Sequence, residues 1–133
     1  MFLERIARWL TERHRQDLGA RGEREAARHL RRQGYRILGM NWRCAAGEGD
    51  IIARARDGAL VFVEVKSRES DEVDPEEQVH GFKQRQVGRV ADVYCRRFGA
   101  NLPLIRFDIV AVLWPVGGKP MVRHHADAFV PPD

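Results

Sequence analysis

The chain has 133 residues, 44% hydrophobic and 32% charged, with 23 Lys and Arg against 19 Asp and Glu for a formal net charge of +4. That length and mix describe one globular domain with a real core, not a disordered chain. No apolar run approaches the roughly 20 residues that cross a bilayer, and the opening MFLERIARWLTER is charged where a secretory leader needs an apolar centre, so neither a membrane protein nor an exported one is expected.

Residues 2–17 read as an amphipathic helix, with Phe2, Ile6, Trp9 and Leu10 at helical spacing. These four are expected to pack on the core, a homodimer contact being the alternative. Leu18-Gly19 is expected to end this helix, and Gly22 to separate it from a second at 23–33 with Ala26, Ala27 and Leu30 inward and Gly34 as C-cap. Residues 35–43 read as a strand, and Gly47 and Gly49 as a break before a strand opening at Asp50. Leu60 to Val65 is strongly β, and Asp57-Gly58 marks the hairpin between. A helix at 79–98, a strand at 104–114, a turn at 115–118 and a short edge strand at 120–125 complete the order. The sum is an α/β fold, a mixed β-sheet flanked by helices, with an extra N-terminal helix (1–18) before a core at 20–130.

Charge is unevenly spread. Residues 1–43 hold 11 Arg and 5 acids, residues 69–77 six acids and no base, and residues 81–98 five bases and one acid. Basic segments flanking an acidic loop can follow a nucleic-acid backbone. Charge alone favours the plainer reading, solvated helix faces. Cys44 and Cys95 fit neither a metal knuckle nor a disulfide framework, and reduced thiols in a cytoplasmic protein are expected.

The chemistry lies in acids set inside apolar strands. Glu64 interrupts LVFVEVK, and Asp50 opens the preceding apolar run. Burying a lone carboxylate costs several kcal/mol unless its charge is compensated. Lys66, two residues on from Glu64, shares its face of the sheet. A two-residue turn would pair residues summing to 115 and point the two acids to opposite faces. A three-residue turn of Arg56-Asp57-Gly58, with Gly58 left-handed, makes the sum 114 and sets Asp50 opposite Glu64. The second register also leaves Ile51, Ala53, Ala55, Val61, Val63 and Val65 as a wholly apolar opposite face, so it is the one expected. Two carboxylates so placed destabilise each other's ionised form, and a hard divalent cation relieves them. Such a site, with Lys66 beside it, suits phosphodiester hydrolysis. The competing reading is an ion pair between Lys66 and one acid at a strand end.

These residues resemble the PD-(D/E)XK signature of restriction endonucleases and Holliday junction resolvases. A closer resemblance, over roughly residues 20–130, is to the bacterial YraN-like family, considered endonuclease-like. It is carried by Gly22-Glu23, Ala26-Ala27, Gly34-Tyr35, Asn41-Trp42-Arg43, Gly47-Glu48-Gly49-Asp50-Ile51-Ile52, Val61 to Arg68, Lys83-Gln84, Arg106-Phe107-Asp108 and Asp127-Ala128-Phe129. The resemblance implies a restriction endonuclease-like core and hydrolysis of DNA, with branched or junction structures among the candidate substrates. It implies Mg²⁺ (or Mn²⁺) held by Asp50, Glu64 and the Val65 carbonyl, with Lys66 as the catalytic lysine. Glu23 matches an acidic helix position that adds a ligand in the resolvase-like branch; the alternative is an acid favoured by the helix dipole. The family usually has a bulky aliphatic residue where this chain has Gly49, which leaves the aim of Asp50 open. The alternative function is a non-catalytic nucleic-acid-binding module that keeps the fold; a protein-interaction role through the N-terminal helix and acidic loop is a third.

Around this set, Glu48 is read as an acid that orients the glycine-rich turn or pairs with Arg43. Arg43, Lys83, Gln84 and Arg85 are candidate phosphate contacts, or plain exposed side chains. Arg106 and Asp108 share one strand face and are expected to pair. His124 and His125 point to opposite faces and are not expected to share a metal.

Overall fold

A computed structural model of the chain describes residues 1–69, 81–99 and 104–132. The sheet grows from the central hairpin. Strands β2 (Gly47–Arg54) and β3 (Leu60–Arg68) are antiparallel, with Ile51 opposite Val63, Ile52 opposite Phe62, Ala53 opposite Val61 and Arg54 opposite Leu60. This is the sum-114 register that face segregation demands. The Ala55 N–H donates to the Ala59 carbonyl (2.9 Å) and closes a three-residue turn, with Gly58 at φ +92° in the left-handed region. Strand β1 (Arg36–Cys44) adds antiparallel to β2. On the other side β3 pairs in parallel with β4 (Ile105–Leu113), and β4 pairs antiparallel with the short edge strand β5 (Met121–His125). The five strands lie in the order β1-β2-β3-β4-β5, a mixed sheet. The parallel step requires a crossover, supplied by helix α2 (Gly81–Phe98) on one face, while helix α1 (Phe2–Arg32) covers the other.

Strand alternation sorts the core into two layers. Ile51, Ala53, Val61, Val63, Val110 and Val112 meet Ala26, Ala27 and Leu30 of α1. Ile52, Leu60, Phe62 and Ile109 meet Val87 and Ala91 of α2. Each fully buried aliphatic or aromatic side chain contributes about 1.5–3 kcal/mol. Glu64 belongs to the second layer by its parity, and it is as buried as its apolar neighbours.

Three expectations are corrected. The two N-terminal helices are one helix of 31 residues. Gly22 does not break it: a Cβ there would lie 2.5 Å from Ser67 Cβ, so the glycine admits α1 against β3, and packing offsets its helix cost of about 1 kcal/mol. Phe2, Ile6, Trp9 and Leu10 do not pack on the core. Residues 1–17 are all exposed, Trp9 at 56% and Phe2 at 73%, because α1 runs past the sheet before it makes contact. Finally, Gly47 and Gly49 lie within β2, opposite Cys44 and Trp42, and the chain reverses at Ala45-Ala46 instead. Residues 79–80 of the expected helix and residues 70–77 of the acidic loop lie outside the described residues.

Candidate functional site

The β2–β3 ladder ends at Ile51 opposite Val63. One step beyond, Asp50 faces Glu64, and the Asp50 side chain replaces the missing ladder bond: the Val65 N–H donates to Asp50 Oδ2 (2.8 Å). In a strand a residue's N–H and C=O point to the same side, so the Val65 carbonyl also faces the β2 edge where the carboxylates stand. The two carboxyl groups are close enough to share one proton. Glu64 is 2% exposed. Burial, then the charge of Asp50, pushes its carboxyl up to about 8 against the pull of Lys83 and Lys66. Burial likewise raises Asp50, against the Val65 N–H and Lys83. A proton or a cation is what this pair lacks.

Two ammonium groups border it. Lys66 follows Glu64 on the same strand face and is half-buried, and burial lowers its pKa. Lys83, in the first turn of α2, places Nζ 3.5 Å from Glu64 Oε2. A cavity of about 590 Å³ opens beside Lys66, walled by His14, Arg15, Leu18, Arg68 and Glu69. His14 pairs with Glu69 across it.

The remaining candidates separate by position. Glu23 sits on the α1 side, where burial raises its pKa, Asn41 hydrogen-bonds its side chain, and the charges of Asp50 and Glu48 reach it. It does not complete a cluster: among the described residues no three His, Cys, Asp or Glu side chains converge on a common point. Glu48 pairs with its cross-strand neighbour Arg43 at 3.3 Å. Arg85 is exposed and lines a different cavity with Gly88, Arg89 and Pro131. Gln84 is half-buried beside it in the helix. Arg106 and Asp108 pair, Nε to Oδ1 at 2.9 Å and Nη2 to Oδ2 at 2.8 Å. His124 joins that pair, at 2.7 Å from Asp108 Oδ2, away from the Asp50–Glu64 edge. Cys44 and Cys95 are free thiols.

Asn41 is a site residue that the motifs do not mark as one. It stands at φ +51° within β1, across from Asp50, and holds Glu23. Left-handed backbone is uncommon outside glycine and most tolerated by Asn and Asp. An asparagine between two strand-like residues is the one signal the sequence offers.

Residues 22–112 match the model of the uncharacterised protein family UPF0102. The chain belongs to UPF0102. This is the YraN-like family that the motifs indicate. A UPF0102 protein of Pelobacter propionicus is 43% identical over 84% of this chain and 81% of its own length. One from Arthrobacter sp. is 44% identical over 80% and 91%, and one from Rhodococcus jostii 42% identical over 87% and 98%. The UPF0102 match begins at Gly22, the first buried residue of α1, so the exposed first half of α1 lies outside it. Among solved structures, an EndoMS–dsDNA2 complex shares 16% identity and a TM-score of 0.40 over 73% of this chain and 38% of that one. No helix among the described residues is long and apolar enough to cross a membrane.

Proposed function

We propose that this UPF0102 chain is a divalent-cation-dependent nuclease that hydrolyses phosphodiester bonds in DNA. One observation carries the reading: Asp50 and Glu64 meet at the end of the β2–β3 ladder with Lys66 on the same face. The donor set fits a hard cation, since two carboxylates and a backbone carbonyl are all oxygen ligands, and the pair's mutual destabilisation is what such an ion removes. Asp50, Glu64 and the Val65 carbonyl would hold Mg²⁺ or Mn²⁺, and Glu23 would join them only on leaving Asn41. The ion would supply charge neutralisation at the phosphate and a water of lowered pKa. The chain's own residues do the rest. Lys66, on the strand face of Glu64, would stabilise charge on the phosphate oxygens. Asp50, held by the Val65 N–H, keeps the acid pair in register. Arg24, Arg28, Arg31 and Arg32 line a groove on α1 that suits a phosphate backbone.

A non-catalytic nucleic-acid-binding module is the second reading, favoured by the engagement of Glu23 with Asn41. One experiment separates them. Branched, linear and single-stranded DNA are incubated with Mg²⁺ or Mn²⁺ and with wild type, Glu64→Gln or Lys66→Ala. Cleavage by wild type and a loss of about a thousandfold in each variant, with circular dichroism unchanged, is expected. Cleavage that survives both substitutions overturns the nuclease assignment.

A further inference from the structure

The sheet-facing stripe of α2 runs Val87, Val90, Ala91, Tyr94, all at helical spacing. Four residues before Val87, at the head of this stripe, stands Lys83. A helix that packs by its apolar face therefore delivers an ammonium group to the top of the acid pair. Gln86 sits against Gly47, where a side chain would run into it, so the second turn of α2 is seated on the β1–β2 hairpin. Lys83 Nζ lies 3.5 Å from the oxygen of a carboxylate that is 2% exposed, while Lys83 itself is 34% exposed. One partner is fixed in the core; the other hangs on a flexible stem with a route to solvent.

We propose, resting on the nuclease reading above, that Lys83 is a resident counter-cation which yields its place beside Glu64 when a divalent ion binds, and that this couples ion loading to arrival of a phosphodiester. Lys83 and Lys66 offset only part of the pair's charge, so the site still has room for a stronger cation. A divalent cation on Glu64 brings like charges together at a few ångström in a poorly screened site, so the ammonium must withdraw. A phosphate oxygen offers Lys83 a new partner at that moment. DNA then raises affinity for the cation, and by reciprocity the cation raises affinity for DNA. A lysine that merely contacts phosphate would weaken DNA binding when removed and leave affinity for the ion unchanged.

The test is calorimetric titration of Mn²⁺ into wild type, Lys83→Met and Lys83→Arg, each with and without a short phosphorothioate duplex. Without DNA, Lys83→Met is expected to bind Mn²⁺ about tenfold more tightly than wild type, and Lys83→Arg to stay near wild type. The duplex is expected to tighten Mn²⁺ binding to wild type by about fivefold or more and to leave Lys83→Met nearly unchanged. Lys83→Gln repeats the measurement if the methionine variant does not fold. Equal or weaker Mn²⁺ binding by Lys83→Met, with wild type binding the ion, overturns the role of Lys83 and leaves the nuclease reading standing. Absence of Mn²⁺ binding in every protein, with and without duplex, overturns both.

Discussion

Two buried acid clusters lie on one sheet and behave in opposite ways. At one, Asp108 is fully buried yet its carboxyl sits below the usual carboxylate range: burial pushes it up, but His124, Arg106 and the Asp127 N–H outweigh that. Arg106 also donates to Tyr35 Oη at 2.6 Å, so the network closes on itself. At the other, Glu64 is almost as buried, faces a second acid, and has one ammonium at 3.5 Å. Burial is common to both. The supply of donors differs, and it separates a cluster that is complete as folded from one that is complete only with something added.

Removing Asp108 should have the largest effect. Asp108→Ala strands the Arg106 guanidinium, and a loss of about 3–5 kcal/mol in urea unfolding is expected, with cleavage per folded molecule unaltered. Substitution at the other cluster should act in the reverse direction. The folded pKa of Glu64 is raised from the ordinary 4.5 to about 8, so its folded form binds the extra proton. Its contribution is complete below about pH 4.5 and is lost as pH rises toward 8. Glu64→Gln should therefore match wild type near pH 4.5 and exceed it by on the order of 2 kcal/mol at pH 8. A wild-type stability that does not decline relative to the variant over that window would remove the contrast between the clusters.

Smaller effects are expected along α1, which passes Ser67 near the first turn of its contact and His124 near its end. Gly22→Ala places a methyl group on Ser67 and should cost about 1–3 kcal/mol, whereas Gly19 has open space around it and Gly19→Ala should add about 0.5–1 kcal/mol. Thermal melts of the pair measure how firmly α1 is seated beside the unbalanced cluster. Equal shifts would mean that α1 is not packed closely there.

The hairpin register was legible because only one pairing segregates its faces, and Gly58 supplies the turn that pairing needs. Asp50, Glu64 and Lys66 follow from the same parity. The continuity of α1 was not legible: Gly19 and Gly22 look alike locally, and only Ser67, 45 positions beyond Gly22, shows that one is a contact. Trp9 and its neighbours carry an amphipathic pattern, which tells that a face is apolar but not whether the sheet extends beneath it. Lys83 is legible as a candidate phosphate contact, but its place beside Glu64 shows only when the stripe of Val87 is extended back one turn. Asn41 offers one local signal, an asparagine inside a strand-like run, and nothing local tells that it holds Glu23.

The three-residue turn at 56–58 has a consequence at a distance. Strand side chains alternate strictly, so lengthening or shortening that loop by a single residue turns every side chain of one arm over. Asp50 would then look toward α1 while Glu64 still looked toward α2. The chemistry at one end of the hairpin is thus written in the length of the bend at the other, and an insertion there would erase the site without touching any residue in it.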